Sequence, residues 1–303
     1  MDKLCKKELS GLFGSRLQWN TPLADYTSFR IGGPADALVE VDTAAELETL
    51  QRLIVRYNLV WRVIGRGTNL LVRDQGFAGV VILLKGEFKK YAFVEQEGHV
   101  IAHAGAACGL SRLSLLCLEK GYSGLEFACG IPGTLGGAVM MNAGAWGRSM
   151  EDVVRHAEVM AFGIRKMYSR KELSFGYRQA AALTNEQAIV TSLQLILEKK
   201  EQEQIKKTCQ DYQQKRRAAQ PLEHGSAGSI FKNPPGESAG RLIEASGLKG
   251  ERVGDAEVSG KHANFIVNRG KASAEDVLQL IERIQLIVKR DSGVFLEPEV
   301  HVL

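Results

Sequence analysis

The chain has 303 residues, with 39 Lys and Arg against 35 Asp and Glu, for a formal net charge of +4. That length holds two or three modest domains with a sizeable core, and 45% apolar with 24% charged residues is the balance of a soluble globular protein. So small a charge does not mark a nucleic-acid binder but suits anionic small ligands; no apolar run approaches the ~20 residues of a membrane span, and the charged stretch Met1–Glu8 lacks a secretory apolar core.

In chain order, Ala37–Val41 reads as a strand. Thr43 with Glu46 forms a capping-box signature, followed by Leu47, Leu50, Ile54 and Tyr57 at helical spacing. Val60–Ile64 is a second strand, running into Gly65-Arg-Gly-Thr-Asn69, and Val80–Leu84 is a third. Tyr91–Glu95 and Val100–Ala104 form a hairpin around Glu97-Gly98. Leu110, Leu113 and Cys117 open a helix that stops near Gly121. Val153–Phe162 and Arg165–Ser169 are strands joined near Gly163, and Ala188–Leu197 is another. The charged stretch Glu198–Arg217, with a thin stripe of Ile205, Cys209 and Tyr212, reads as a solvated helix linking two domains. Beyond it come the loop Gly225–Gly236, a short helix near Gly240–Ala245 and a strand Asn264–Asn268. A last helix shows Val277, Ile281, Ile284 and Val288 on one face, and a strand Val294–Val302 ends the chain. Strands and helices without regular alternation predict an α+β fold. The five cysteines are odd in number and lack Cys-x-x-Cys spacing. They argue against a disulfide framework or zinc site and for a reducing, cytoplasmic location.

Two glycine clusters carry the ligand signal. Gly65-Arg-Gly-Thr-Asn69 follows an apolar strand, where exposed N–H groups can approach a pyrophosphate, although alone it reads first as a tight turn. Gly130-Ile-Pro-Gly-Thr-Leu-Gly-Gly137, followed by Asn142-Ala-Gly144, is stronger: four glycines in eight residues prescribe an irregular backbone with donors and no obstructing side chains. Close loop packing would also use such glycines. Neither cluster is a Rossmann fingerprint, and no Walker lysine follows.

These loops, together with Tyr26-Thr-Ser-Phe-Arg-Ile-Gly-Gly33, resemble the FAD-binding half of the UDP-N-acetylenolpyruvoylglucosamine reductases, a fold similar to that of vanillyl-alcohol-oxidase-type flavoproteins. Phe175-Gly-Tyr-Arg178, Gly228-Ser-Ile-Phe-Lys-Asn-Pro234 and Glu297-Pro-Glu-Val300 extend the resemblance from about Asn20 to Val302, and the short interval between Arg178 and Ser229 resembles the type II form. The resemblance implies an N-terminal segment 1–22, an FAD-binding domain of two subdomains at 23–197 and a substrate-binding domain at 198–303. It implies non-covalent FAD, NADPH as hydride donor, a nucleotide-sugar substrate, a monomer and a cytoplasmic step of peptidoglycan precursor synthesis. It places the cofactor at Arg30, Gly65, Arg66, Gly67, Thr68, Asn69, Leu70, Gly130, Ile131, Pro132, Gly133, Thr134, Gly136, Gly137, Ala138, Asn142 and Gly144. Cys129 is expected to be a small buried filler rather than a flavin attachment point.

The implied chemistry is hydride addition to an enolpyruvyl ether, and the residue types match it. The fork of Arg178 suits a carboxylate that gathers negative charge. Ser229 stands at the family's proton-donor position, with Lys232 and the loop N–H groups as helpers. Glu299 matches the catalytic glutamate and either orients Arg178 or assists protonation. On a strand, Glu297, Glu299 and His301 share one face, with Val300 and Val302 on the other. Substrate contacts are expected at Tyr177, Lys232, Asn233 and His262, with Arg241 and Lys261 as weaker candidates. Taken singly, Arg178 reads as a surface charge, Ser229 as a turn residue and Glu299 as an exposed strand residue; their joint occurrence in order overturns that. Two other functions compete: another flavoprotein oxidase on the same fold, which would not need the serine motif, and a nucleotide-sugar binder without catalysis, which would not need the set Arg178, Ser229 and Glu299.

Overall fold

The computed structural model describes residues 1–185 and 188–303. The chain divides into two compact units, each with its own core. The first comprises Met1–Trp19, Ala37–Gly65 and Gly79–Gln214; the second comprises Asn20–Asp36, Arg66–Ala78 and Lys215–Leu303. Each unit is therefore assembled from segments far apart in sequence.

The first unit begins with helix α1 (Lys3–Phe13), which sequence periodicity did not disclose; Asp2 caps it and Cys5, Leu9 and Phe13 are buried. Helix α2 (Ala44–Arg56) buries Leu47, Leu50 and Ile54 as expected. Its capping box is only half made. Thr43 accepts the Glu46 N–H at 3.2 Å, but the Glu46 carboxylate turns to the Asp42 N–H and to a double hydrogen bond with Arg16. That guanidinium holds the Glu46 carboxyl down at about 2. A four-stranded sheet runs in the order Leu17–Pro22, β1 (Pro34–Val41), β3 (Phe77–Leu84), β2 (Trp61–Val63). Its residues Val39, Val41, Val80 and Ile82 enter the first core.

The larger sheet is antiparallel, in the order β7 (Ile164–Ser169), β6 (Val154–Ala161), β8 (Ile189–Lys199), β5 (His99–Gly105), β4 (Tyr91–Gln96), with Tyr122–Ser123 pairing beside β8. Ala157, Leu193 and Ala104 lie opposite one another across three strands and are all buried, so a one-residue slip would expose the whole face. Helix α3 (Leu110–Glu119) and the short α4 (Leu135–Met140) flank the glycine cluster.

Helix α5 (Gln202–Ala219) is largely solvated, as its charged composition predicted, and buries only Ile205 and Cys209 of the thin stripe. Ile205 and Cys209 are buried with Cys129, and Cys209 is disulfide-bonded to Cys129 across 80 residues, with Cα atoms 5.6 Å apart. This corrects both the expectation of unpaired cysteines and the reading of Cys129 as mere filler. An odd cysteine count conceals a pair when the partners are brought together only by tertiary packing.

In the second unit, helices α6 (Ala239–Ala245) and α7 (Ala274–Ser292) accompany a three-stranded sheet, β9 (Arg252–Val253), β10 (Ala256–Val258) and β11 (Ile266–Asn268). Val277, Ile281, Ile284 and Val288 are buried as the spacing predicted. The N-terminus of α7 carries a complete capping box between Ser273 and Asp276, and Asp74 accepts the N–H groups of Ala274 and Glu275. The expected strand Val294–Val302 is mostly irregular: only His301–Val302 is regular, pairing in parallel with Leu70–Leu71. Pro298 forms an isolated antiparallel bridge with Phe231, bracketed by the Lys232 N–H to the Glu297 carbonyl at 2.9 Å and the Glu299 N–H to the Ile230 carbonyl at 2.7 Å. Val300 is buried, but Val302 is 41% exposed, so the predicted alternation ends before the last valine.

Candidate active site

In the first unit the two glycine clusters meet. A Cβ on Gly65 would fall 2.4 Å from the Thr134 hydroxyl, and one on Gly136 would fall 2.9 Å from the Ala106 Cβ. Gly130 and Gly133 have φ of 92° and 122°, where side chains are strained. The N–H groups of Gly130, Ile131, Leu135, Gly136 and Gly137 donate within the protein. Among the described residues this leaves Gly133 and Thr134 as loop donors for a ligand. A bare backbone floor, positive φ and remaining donors fit a diphosphate. Gly133→Val is expected to leave the folded protein with most of its flavin lost, read as the ratio of flavin to protein absorbance; full occupancy would refute this loop assignment. Pro132, Gly137 and Ala138 belong to the same segment. Gly144 pairs opposite Ser149 in a short hairpin, where a Cβ would strike the Arg148 carbonyl at 2.4 Å.

Also in the first unit, Tyr177 and Arg178 form the two-residue turn between Phe175–Gly176 and Gln179–Ala180. Arg178 has φ 59°, a left-handed backbone costing of order 1 kcal/mol or more for a residue with a side chain. Its guanidinium lies 5.1 Å from the Tyr177 ring centroid. Strain at an arginine marks this turn independently of any motif. Asn142, expected at the cofactor, is buried, and its side chain bonds the backbone of Gly176 and Glu151, each at 3.0 Å.

The second unit joins four motifs. Gly67 (φ 60°) lies so close to residues 26 and 27 that a Cβ would meet the Tyr26 carbonyl at 2.1 Å. The Ser28 hydroxyl reaches the carbonyls of Gly67 and Ser226. Asn69 donates its side-chain N–H to the Glu299 carbonyl at 3.0 Å, and the His301 N–H donates to the Asn69 carbonyl at 3.1 Å. The Glu299 N–H in turn donates to the Ile230 carbonyl at 2.7 Å. Glu299 and half-buried Ser229 are thus held on neighbouring, hydrogen-bonded segments. Buried Asn264, which sequence reading passed over, pins the serine segment by accepting the Phe231 N–H at 3.0 Å and donating to the Phe231 carbonyl at 2.8 Å. Its only sequence signal is a polar residue heading an apolar strand. Arg66, Thr68 and Leu70 lie on this same segment of the second unit.

The remaining candidates divide. Lys232 is ion-paired with Glu297, so its charge is already partly neutralised. The side chain of Asn233 accepts the Ala239 N–H in the first turn of α6, whose N-cap is Ser238. Arg241 pairs with Glu237, and Lys261 donates to the Arg217 carbonyl. His262 is held neutral to lower pH than usual by burial and then by Lys249, and its Nδ1 accepts the Asn264 N–H. Arg30, with φ 58°, lines a polar cleft of about 180 Å³ with His224, Asn268 and Arg269.

Residues 35–162 match the family model described as an FAD binding domain, and 220–303 match the C-terminal domain of UDP-N-acetylenolpyruvoylglucosamine reductase. The structure is similar to an alkyldihydroxyacetonephosphate synthase at TM-score 0.50 and 17% identity, covering 66% of this chain and 41% of that one, a likeness of fold alone. The fold and the FAD-binding family model define an FAD-containing oxidoreductase with the α+β architecture that the motifs implied.

The chain is 46% identical to a UDP-N-acetylenolpyruvoylglucosamine reductase of Symbiobacterium thermophilum, over 95% of this chain and 92% of the relative. It is 42% identical to one of Syntrophus aciditrophicus, over 100% and 96%. The crystal structure of the Thermus caldophilus reductase is similar at TM-score 0.80 and 40% identity, covering 94% of this chain and 97% of that one. The chain belongs to the family of UDP-N-acetylenolpyruvoylglucosamine reductases.

Proposed function

We propose that this protein uses NADPH to reduce UDP-N-acetylenolpyruvoylglucosamine to UDP-N-acetylmuramate, as a monomer, in a cytoplasmic step of peptidoglycan precursor synthesis. Among the described residues no helix is long and apolar enough to cross a membrane. FAD, held non-covalently, supplies the hydride when bound. Residues 23–197 make up the cofactor's part of the chain and 198–303 the substrate's, although 23–36 and 66–78 pack in the second unit and 198–214 in the first. Gly65 and the loop Gly130–Gly137 receive the diphosphate of the cofactor, with Gly133 and Thr134 donating. Arg178 takes the enolpyruvyl carboxylate in a two-pronged hydrogen bond and stabilises the charge that develops there. Ser229 gives its hydroxyl proton to the adjacent carbon, and Glu299 sets the proton balance of that step. Tyr177, Lys232, Asn233 and His262 bound the substrate, although Lys232 and Asn233 are already engaged by Glu297 and α6.

One observation carries the reading: Ser229 and Glu299 lie on segments joined by the hydrogen bond from the Glu299 N–H to the Ile230 carbonyl. A plain flavin oxidase would not need that pairing. The purified protein is expected to be yellow, to release its flavin on acid precipitation, to bleach with NADPH and to regain colour with the enolpyruvyl substrate under nitrogen. Colour returning only with oxygen would support the oxidase instead.

A further inference from the structure

We propose that Asn142 is a positioning residue for Arg178 and not a contact to the cofactor. The proposal rests on the reading of Arg178 as the substrate-carboxylate ligand. Asn142 follows α4, the short helix entered from the glycine loop, and is 6% exposed. Both ends of its carboxamide are engaged: Nδ2 donates to the Gly176 carbonyl at 3.0 Å, and Oδ1 accepts the Glu151 N–H at 3.0 Å. A carbonyl on one side and an N–H on the other permit only this orientation of the amide. Its φ of 39° is the left-handed region, which asparagine tolerates better than most residues.

Gly176 is the residue before the Tyr177-Arg178 turn and stands opposite Gln179 in its register. The turn itself is unfavourable, because Arg178 is held at φ 59°. Such a conformation persists only where surrounding contacts over-determine it. The Asn142 side chain supplies one of these contacts, from the segment that leaves the glycine loop. A fork that must meet a carboxylate tolerates little displacement, and a shift of about 1 Å can cost ~100-fold in rate. Asn142 therefore acts on the substrate through the Arg178 turn, with its own side chain turned to backbone.

Two substitutions separate this role from a general structural one. Asn142→Gly removes both bonds while permitting the left-handed backbone. Asn142→Asp keeps an acceptor for the Glu151 N–H but sets a carboxylate oxygen against the Gly176 carbonyl, so only the Gly176 bond is lost. Both variants are expected to retain stoichiometric FAD and to lose ~10-fold or more in kcat/KM for the enolpyruvyl substrate, with KM for NADPH unmoved. Combined with Arg178→Lys, either loss should be less than multiplicative, since both act on one guanidinium. Limited trypsin digestion read by mass spectrometry gives a signal independent of turnover: cleavage after Arg178 should be faster in both variants than in the unaltered protein. Flavin loss in Asn142→Asp with unchanged cleavage after Arg178 would restore the cofactor role and overturn the proposal, as would Asn142→Asp with unaltered kinetics and cleavage. Faster cleavage together with a silent Arg178→Lys would instead remove Arg178 from the chemistry and leave the Asn142 clamp standing.

Discussion

Ser229→Ala is expected to slow return of flavin colour by the enolpyruvyl substrate ~10²–10⁴-fold, the usual cost of removing a positioned general acid, while bleaching by NADPH stays near its normal rate. The asymmetry follows from what Ser229 does. Its hydroxyl proton is needed only when the substrate carbon accepts hydride at its neighbour. A serine hydroxyl is a poor acid alone, so the site must favour the transient alkoxide. The backbone path that places it is defined: Gly228 has φ 74°, and the following residues Ile230 and Phe231 are hydrogen-bonded to Asn264. Alanine keeps that path, which makes the substitution a deletion of the proton alone. Stopped-flow absorbance follows each half separately. Equal slowing of both halves would indicate a disturbed flavin pocket, and normal recovery of colour would take Ser229 out of the mechanism.

Arg178→Lys is expected to lower kcat/KM for the enolpyruvyl substrate ~10²–10³-fold although the charge is kept, the range seen when one preorganised donor to a developing charge is lost. Lysine is a point donor and cannot present two parallel N–H groups to a carboxylate. The left-handed backbone at this position supplies a control. Arg178→Gly should be no less stable than the unaltered protein by thermal unfolding, because glycine adopts φ near 59° without strain, yet it should be at least as inactive as the lysine variant. Lysine with unchanged kcat/KM would rule out the two-pronged contact. Glycine with a clearly lower melting temperature would show that Arg178 holds the fold together rather than serving substrate.

Much of the secondary structure was legible because it is local. Leu47, Leu50 and Ile54 on α2, and Val277 through Val288 on α7, repeat at helical spacing and are buried as that spacing requires. The hairpin at Glu97-Gly98 turns where a glycine can take φ 78°. The glycine motifs were legible for a related reason: Gly133 and Gly67 occupy backbone conformations or close approaches that a side chain would obstruct, and that constraint is written in residue type.

Other features depend on partners remote in the chain. Glu46 reads as the acceptor of a capping box, but Arg16, 30 residues earlier, takes its carboxylate because a charge-assisted double hydrogen bond outcompetes a single backbone N–H. Cys129 and Cys209 look unpaired until packing sets them side by side. Asn142, read as a cofactor contact, turns its amide to Gly176. The class of fold, the family and the residue types that the chemistry needs are legible in the chain alone, since they rest on periodicity, glycine placement and motif order. That Asn69 and Asn264 hold the Glu299 and Ser229 segments, and that Asn142 bonds the strand residue before the Arg178 turn, emerges only from the folded chain. A buried carboxamide is bound to satisfy both its donor and its acceptor, but which backbone groups it finds is settled by the folding of segments up to 230 residues apart.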